Sequence, residues 1–241
     1  MTLLVSTWRR LTWRQVLCGL VGLLIVKVTI GVVLRYRDYF PPNFDAEFLW
    51  GRDSYFWGAY AAAFYAHVLT GPLTLLLGLV LMAEPLRMRF PQWHRSLGKV
   101  QAALVLLVLA PSGLAMACWA GATAGIPLAF LALGTAGCVG LGWRAAVRRR
   151  FAEHRRWMTR CFALLCSAVV LRVIGGLLRV TGLEGAWSYP LAVWASWLLP
   201  LAAVEWSNWR TSIRQSVAAQ PVRVQSASAS SLPAIETRAR S

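Results

Sequence analysis

The chain has 241 residues, of which 58% are hydrophobic and only 14% charged, yet its formal net charge is +16. Soluble domains carry about a quarter of their residues as charges; that class is excluded by uninterrupted apolar runs of about 18 residues or more, the length that crosses a ~30 Å hydrocarbon core. Nucleic-acid binding is not the source of the basic charge either. All but two of the 25 basic residues are arginine, and most fall between the apolar runs, as positive-inside topology and anionic headgroups require.

Residues 1–15 form a basic N-terminus (Arg9, Arg10, Arg14) with no small-x-small cleavage site, so the apolar run that follows reads as a retained first helix. Six spans are predicted, at about Val16–Leu34, Trp57–Met82, Val100–Trp119, Gly125–Trp143, Trp157–Val180 and Ala186–Trp206. The connection at about 35–56 is the longest. It carries Pro41-Pro42 among alternating aromatic and acidic residues, a composition suited to capping the outer face. Residues 211–241, rich in Ser, Ala and Gln without periodicity, are predicted to be a disordered cytoplasmic tail.

The predicted fold is therefore all-α: a polytopic transmembrane helical bundle over residues 16–210, with both termini cytoplasmic. Arginines cluster at the turns after spans two and four and at both termini. The opposite side holds only Arg35, Arg37, Arg52 and Arg179, diluted by Asp38, Asp45, Glu47, Asp53 and Glu184. Tryptophans mark the same boundaries, with only Trp194 and Trp197 in mid-span. The implied setting is a bacterial inner membrane, with the lipid bilayer and its anionic headgroups as partners and no nucleic acid.

Ionisable residues inside a span cost about 2.5–3.5 kcal/mol on insertion scales, so each is a candidate for function. Three share a depth roughly eight to ten residues from the outer boundary, or ~12–15 Å: Lys27, His67 and Arg172. No Asp or Glu lies deep in any span, so this layer needs an outer-loop carboxylate, helix carbonyls, water or a bound anion to neutralise it. For Lys27 the alternative is snorkelling outward; for His67 it is a neutral ring hydrogen-bonded between helices. His67, Gly71, Thr74 and Gly78 line one stripe of the second span, and Arg172, Gly175, Gly176 and Arg179 line one of the fifth. These stripes predict two neighbouring helices around a polar interior.

A second candidate layer lies at the cytoplasmic rim. His94-Arg95-Ser96-Leu97-Gly98-Lys99 follows Leu86-Arg87-Met88-Arg89-Phe90, and His154-Arg155-Arg156-Trp157-Met158-Thr159-Arg160 follows Val147-Arg148-Arg149-Arg150-Phe151. The matched blocks suggest two similar helical hairpins. Arg95, Arg155 and Arg160 with Glu205 read as a salt-bridge network at the rim. The alternative is a cofactor site, because histidine ligates haem and metals. The five cysteines include no C-x-x-C pair, so neither a zinc site nor a disulfide framework is indicated, and without C-x-x-C-H covalent haem is excluded. No nucleophile elbow, phosphate loop or H-E-x-x-H occurs, and no catalytic residue is assigned.

The run EHRRWMTRCFALLCSAVVLRV, Glu153 to Val173, resembles the signature of the bacterial membrane family catalogued as domain of unknown function 2306. The likeness extends over roughly Ala59 to Arg210, through His67 with Gly71-Pro72, the His94-Arg95-Ser96-Leu97-Gly98 turn, and a last helix closing on Trp197 and Glu205-Trp206. It singles out His67, His94, His154, Arg155, Trp157, Met158, Arg160, Arg172 and Glu205. Lys99 stands where an arginine is more usual, and Pro200 lacks the asparagine expected after it. The resemblance implies a multi-spanning membrane protein and no particular reaction. Three function classes stay open: a b-type haem or quinone-linked redox protein using His94, His154 or His67; a carrier or binding protein for a small anionic ligand using Lys27, His67 and Arg172; and a structural or accessory membrane protein.

Overall fold

A computed structural model describes residues 13–219. The expectations for Arg9 and Arg10 and for residues 220–241 lie outside the described residues, whereas 211–219, expected to open the disordered tail, continue the last helix. The described chain is helical, and it divides into two units, Met1–Leu201 and Ala202–Ser241.

Helix α1 (Trp13–Leu34) runs into a short 3-10 turn at Arg35–Asp38 and then the long connection. Helix α2 (Ala59–Met82) leads through the short α3 (Glu84–Arg89) to a rod made of α4 (Pro91–Leu104), a wide π turn (Val105–Leu109) and α5 (Ala110–Ala117). Helix α6 (Gly121–Val147) pairs with α7 (Phe151–Leu165); α8 (Ser167–Thr181) follows after a turn at Cys166, and α9 spans Ser188–Ala219. Gly182 stops α8 in the left-handed conformation (φ 68°, ψ 14°) that glycine adopts without a Cβ penalty.

Among the described residues five helical segments are long and apolar enough to cross a membrane: Gly19–Asp38, Ala59–Met82, Pro91–Ala117, Gly121–Val147 and Phe151–Thr181. The sixth expected span is present as α9, but Ser188, Tyr189, Pro190, Ser196 and Pro200 dilute its hydropathy, and it falls outside that set. Two rods also begin earlier than expected, at Pro91 and Phe151 rather than near Val100 and Trp157. Pro91 stands in the first turn of α4, where its missing N–H is no loss. The polar first turns of α4 and α7 are ordinary helix that an apolar-run criterion does not register.

Within the first unit α6 packs along α7, α5 against α6 and α2, and α2 against α1, α4 and α7. Three clusters fill the seams. One joins Ala102, Val105, Leu109, Cys138, Val139, Cys161 and Leu164; a second ties Ile25 of α1 to Leu75 of α2 and Val169 of α8; the third is the aromatic cap described below. Buried hydroxyls satisfy themselves on their own helices: Thr29 donates to the Ile25 carbonyl (2.8 Å), Thr74 to Gly71 (2.9 Å) and Thr135 to Leu131 (2.7 Å). Such bonds let polar residues sit in an apolar seam without stranded donors.

The π turn has a local cause. Pro111 offers no N–H to the Leu107 carbonyl, so the ladder is broken one turn upstream of it. The rod widens there, with the Ala110 N–H reaching back to the carbonyl of Val105. In the second unit, the Trp206 and Trp209 rings meet at a tilt of 40° with centroids 5.1 Å apart, and the Arg210 guanidinium lies 5.5 Å from the Trp206 ring.

Candidate functional site

The connection after α1 folds onto the first half of α2. Leu49 and Phe56 are completely buried there beside Tyr39, Tyr60 and Phe64. Phe56 meets the rings of Phe44, Trp57, Tyr60, Phe64 and Tyr65 at 5.3–5.9 Å. Arg52 pins the cap: its Nε donates to the Phe48 carbonyl (2.7 Å), its Nη1 donates to the Tyr55 and Tyr60 hydroxyls (3.1 Å each), and its charge lies over the Phe48 ring at 4.8 Å. Two phenols sew the cap to the helices, Tyr36 donating to the Val68 carbonyl (2.6 Å) and Tyr65 to that of Tyr39 (3.0 Å).

Beneath the cap sits His67. Its Nδ1 lies 3.3 Å from both the Leu109 carbonyl and Ser112 Oγ, and Ser112 also donates to Leu109 (3.1 Å). A carbonyl only accepts, so Nδ1 carries the proton and Nε2 keeps its lone pair. Leu109 closes the π turn, which thus presents a backbone acceptor to the histidine. Gly113 makes the room, because a Cβ there would lie 3.1 Å from His67 Cε1.

Arg172, exposed on α8, is within electrostatic range of His67, with Tyr39 and Arg35 on the cap side. Arg172 donates to the Ala168 carbonyl (2.8 Å) and forms no ion pair among the described residues. Two turns further out on the same helix, Arg179 bonds Glu47 and lies 3.6 Å from Glu184, while Glu47 also lies 3.8 Å from Arg35. The hydrogen bond from Arg179 holds the Glu47 carboxyl below the usual carboxylate range, aided by the charges of Arg179 and Arg35 against partial burial. Burial pushes the Tyr39 phenol above its usual value, and Arg172 and Arg35 pull against that rise. Lys27 does not join the group. It is exposed on α1, and Ile25 and Thr29, each two residues away, are buried, so it points away from the packed face.

At the opposite end the two histidine blocks take up one geometry. His94 is the fourth residue after the α4 cap, Phe90, and its N–H bonds the Phe90 carbonyl (3.0 Å); His154 repeats this with Arg150 (2.9 Å). The charges of the two rings reach each other, and Arg87 also reaches His94. His154 Nδ1 donates to the Gly142 carbonyl (2.8 Å), so its Nε2 is the nitrogen left over, whereas His94 Nδ1 is buried without a hydrogen-bond partner among the described residues. Arg95 bonds the Pro91 carbonyl (3.2 Å), Thr159 donates to the carbonyl of Arg155 (2.9 Å), and Arg160 lies 4.7 Å from the Trp157 ring. Glu205 belongs to α9 in the second unit. Among the described residues no three His, Cys, Asp or Glu side chains converge as a metal set.

Sequence reasoning missed Arg35, Tyr39 and Ser112 as neighbours of the inner pair, and Gln101, buried in the α2–α4 seam with its Nε2 on the Thr74 carbonyl (3.0 Å). A polar side chain directly after Val100, at the head of an apolar run, was the available sign for Gln101. Nothing local marks the others, because their relation is tertiary.

No curated protein and no solved structure matches the chain. A family model described as "Predicted membrane protein (DUF2306)" matches residues 64–206, the stretch that holds His67, both rim histidines and Arg172. That match covers more than half of the sequence and coincides with the helices described above; the chain belongs to this family of membrane proteins.

Proposed function

We propose that the chain is a multi-pass protein of a bacterial inner membrane that binds a small anionic ligand at its capped end, as a carrier or a binding protein. The arginine bias puts the opposite, histidine-bearing end in the cytoplasm beside anionic headgroups. One observation carries the reading: Arg172, a group that keeps its charge at any physiological pH, lies in an apolar segment with Arg35 in reach and no ion-pair partner among the described residues. An anion supplies the missing counter-charge.

In detergent-purified protein, a panel of small anions should contain at least one that raises the melting temperature. A ligand at a hundredfold its Kd adds about 2.7 kcal/mol. Arg172→Gln should weaken that response at least tenfold, while Lys27→Gln, on the outward face of α1, should leave it unchanged. A panel that never moves the wild-type melting point sinks the reading.

A second reading, a membrane redox protein carrying haem b, is favoured by the rim histidines. His154 has its Nδ1 committed to a backbone carbonyl and its Nε2 left over, the arrangement that orients a ligating imidazole, and its neighbour His94 has a buried nitrogen without a partner among the described residues. Haem held there would supply one-electron chemistry, and nearby arginines would neutralise its propionates. The protein expressed with ample haem should then show a Soret band that His94→Ala and His154→Ala abolish and His67→Ala does not. A spectrum without that band removes this reading.

A further inference from the structure

We propose that the turn between α6 and α7 is a specific site for an anionic phospholipid, its phosphodiester held by Arg148 and Arg149 and its acyl chains lying against Trp143, Val147 and Phe151. The site stands at the opposite end of the bundle from the cap and does not depend on what binds there. One apolar segment ends at Val147 and the next begins at Phe151. The three residues between them, Arg148, Arg149 and Arg150, are all arginines.

Backbone geometry marks the middle one. Helix α6 closes with the Arg150 N–H on the Ala145 carbonyl (2.9 Å) and the Arg149 N–H on that of Ala146 (3.0 Å), the paired bonds that hold a left-handed residue just past a helix. Glycine is the usual residue there, because a Cβ crowds the following carbonyl. Gly182 fills the same place after α8, where it and Leu183 make the same two bonds to Arg179 and Leu178. Arg149 takes φ 58° instead, and among the described residues it is the one non-glycine with a positive φ. Membrane topology asks only for basic residues near the span ends, and a glycine in place of Arg149 would still leave two in this turn. An arginine kept at the strained position therefore serves a contact made by its own side chain.

The surroundings leave that contact to be made. Arg144, Arg148, Arg149, Arg155 and Arg156 are exposed and form no ion pair among the described residues; the one acid nearby, Glu153, lies 3.7 Å from Arg150. In the other histidine-bearing hairpin the turn is partly neutralised, with Glu84 3.4 Å from Arg87, and Arg95 is spent on the Pro91 carbonyl. Planar guanidiniums take phosphate oxygens two at a time. Beside them Val147 is 69% exposed, Phe151 64% and Trp143 45%. Trp143 and Val147 lie one turn apart on α6, next to Arg144 and Arg148, so charge and apolar surface adjoin at the end of the spanning segment. A free phosphate would use only the first of these; one phospholipid uses both.

The test uses the full chain in an uncharged detergent at constant ionic strength, titrated with phosphatidylglycerol, phosphatidylcholine or inorganic phosphate. Retained lipid is counted by native mass spectrometry, and the melting temperature is followed in parallel. Phosphatidylglycerol should bind at least tenfold more tightly than phosphatidylcholine, and inorganic phosphate should bind more weakly than phosphatidylglycerol. Arg148→Gln and Arg149→Gln should each weaken phosphatidylglycerol at least fivefold. Arg89→Gln, an equal loss of charge at the end of α3, should weaken it less than twofold. Equal losses from Arg89→Gln and Arg149→Gln would reduce the turn to part of a diffuse surface charge and overturn the site. Inorganic phosphate bound as tightly as phosphatidylglycerol, and through Arg149, would overturn the choice of lipid. Wild type that retains no phosphatidylglycerol would end the proposal. Arg149→Gly separates a binding role from a structural one: without lipid it should melt no lower than wild type, and it should still lose the fivefold in phosphatidylglycerol affinity. A lower melting temperature without lipid would mean that Arg149 supports the fold, against the proposal.

Discussion

Phe56→Ala should release the cap from the bundle, because removing a fully buried phenyl ring from a packed site costs about 3–5 kcal/mol. The estimate starts from complete burial and ring contacts to five neighbours, each pair adding about 0.5–1.5 kcal/mol beyond its area. The loss falls first on the segment that Phe56 anchors. Arg52 should then leave its tyrosine hydroxyls, and Glu47 should leave Arg35 and Arg179. Trypsin cleavage after Arg52 reads this directly, and it should accelerate by at least tenfold in the variant. Trp50→Ala, at a side chain 77% exposed, should change stability by no more than about 0.5 kcal/mol. Equal cleavage of Phe56→Ala and wild type would show that the cap is not held by this cluster.

Gly125→Ala should be the most damaging of the helix glycine-to-alanine changes. A Cβ at this position would lie 2.4 Å from the Ala117 carbonyl oxygen, a backbone atom that no rotamer change can move. Overpacking of this kind costs about 1–3 kcal/mol, and here it pushes apart the end of α5 and the start of α6, the floor under the Ser112 and Leu109 contacts to His67. Gly137→Ala gives the opposite sign: nothing lies within 4 Å of its Cβ, and alanine is favoured over glycine in a helix by about 1 kcal/mol. Melting temperatures of the two variants in one detergent decide the matter. A Gly125→Ala protein as stable as wild type would mean that the α5–α6 junction yields freely.

The spans were legible in the sequence because crossing a hydrocarbon core imposes a length and a composition that no packing detail can override. The matched histidine blocks were legible too, and the structure gives them one capping geometry, His94 on Phe90 and His154 on Arg150. Facing was legible on one of the two stripes, since Arg172, Gly176 and Arg179 of the other are exposed on α8. His67, Gly71, Thr74 and Gly78 recur at helical spacing, and the structure buries Thr74 and Gly78 in the seam. Lys27 shares the depth of His67 but stands alone, so nothing in the run around it reports which way α1 turns. The choice of Glu47 among the acids of the outer connection was out of reach for another reason. It depends on where Arg179, 132 residues later, ends up in space.

The two rods that carry the rim histidines are interrupted at nearly the same level, the π turn beginning eleven residues beyond His94 and the Cys166 turn lying twelve beyond His154. Helices bend where their ladder is broken before they bend elsewhere. A shared fault plane therefore crosses both hairpins, separating the stem that holds the histidines from the upper halves α5 and α8, which bear Ser112 and Arg172. Tilting above that plane would change the spacing between Ser112 and Arg172 while the stem that holds the histidine pair stayed at rest.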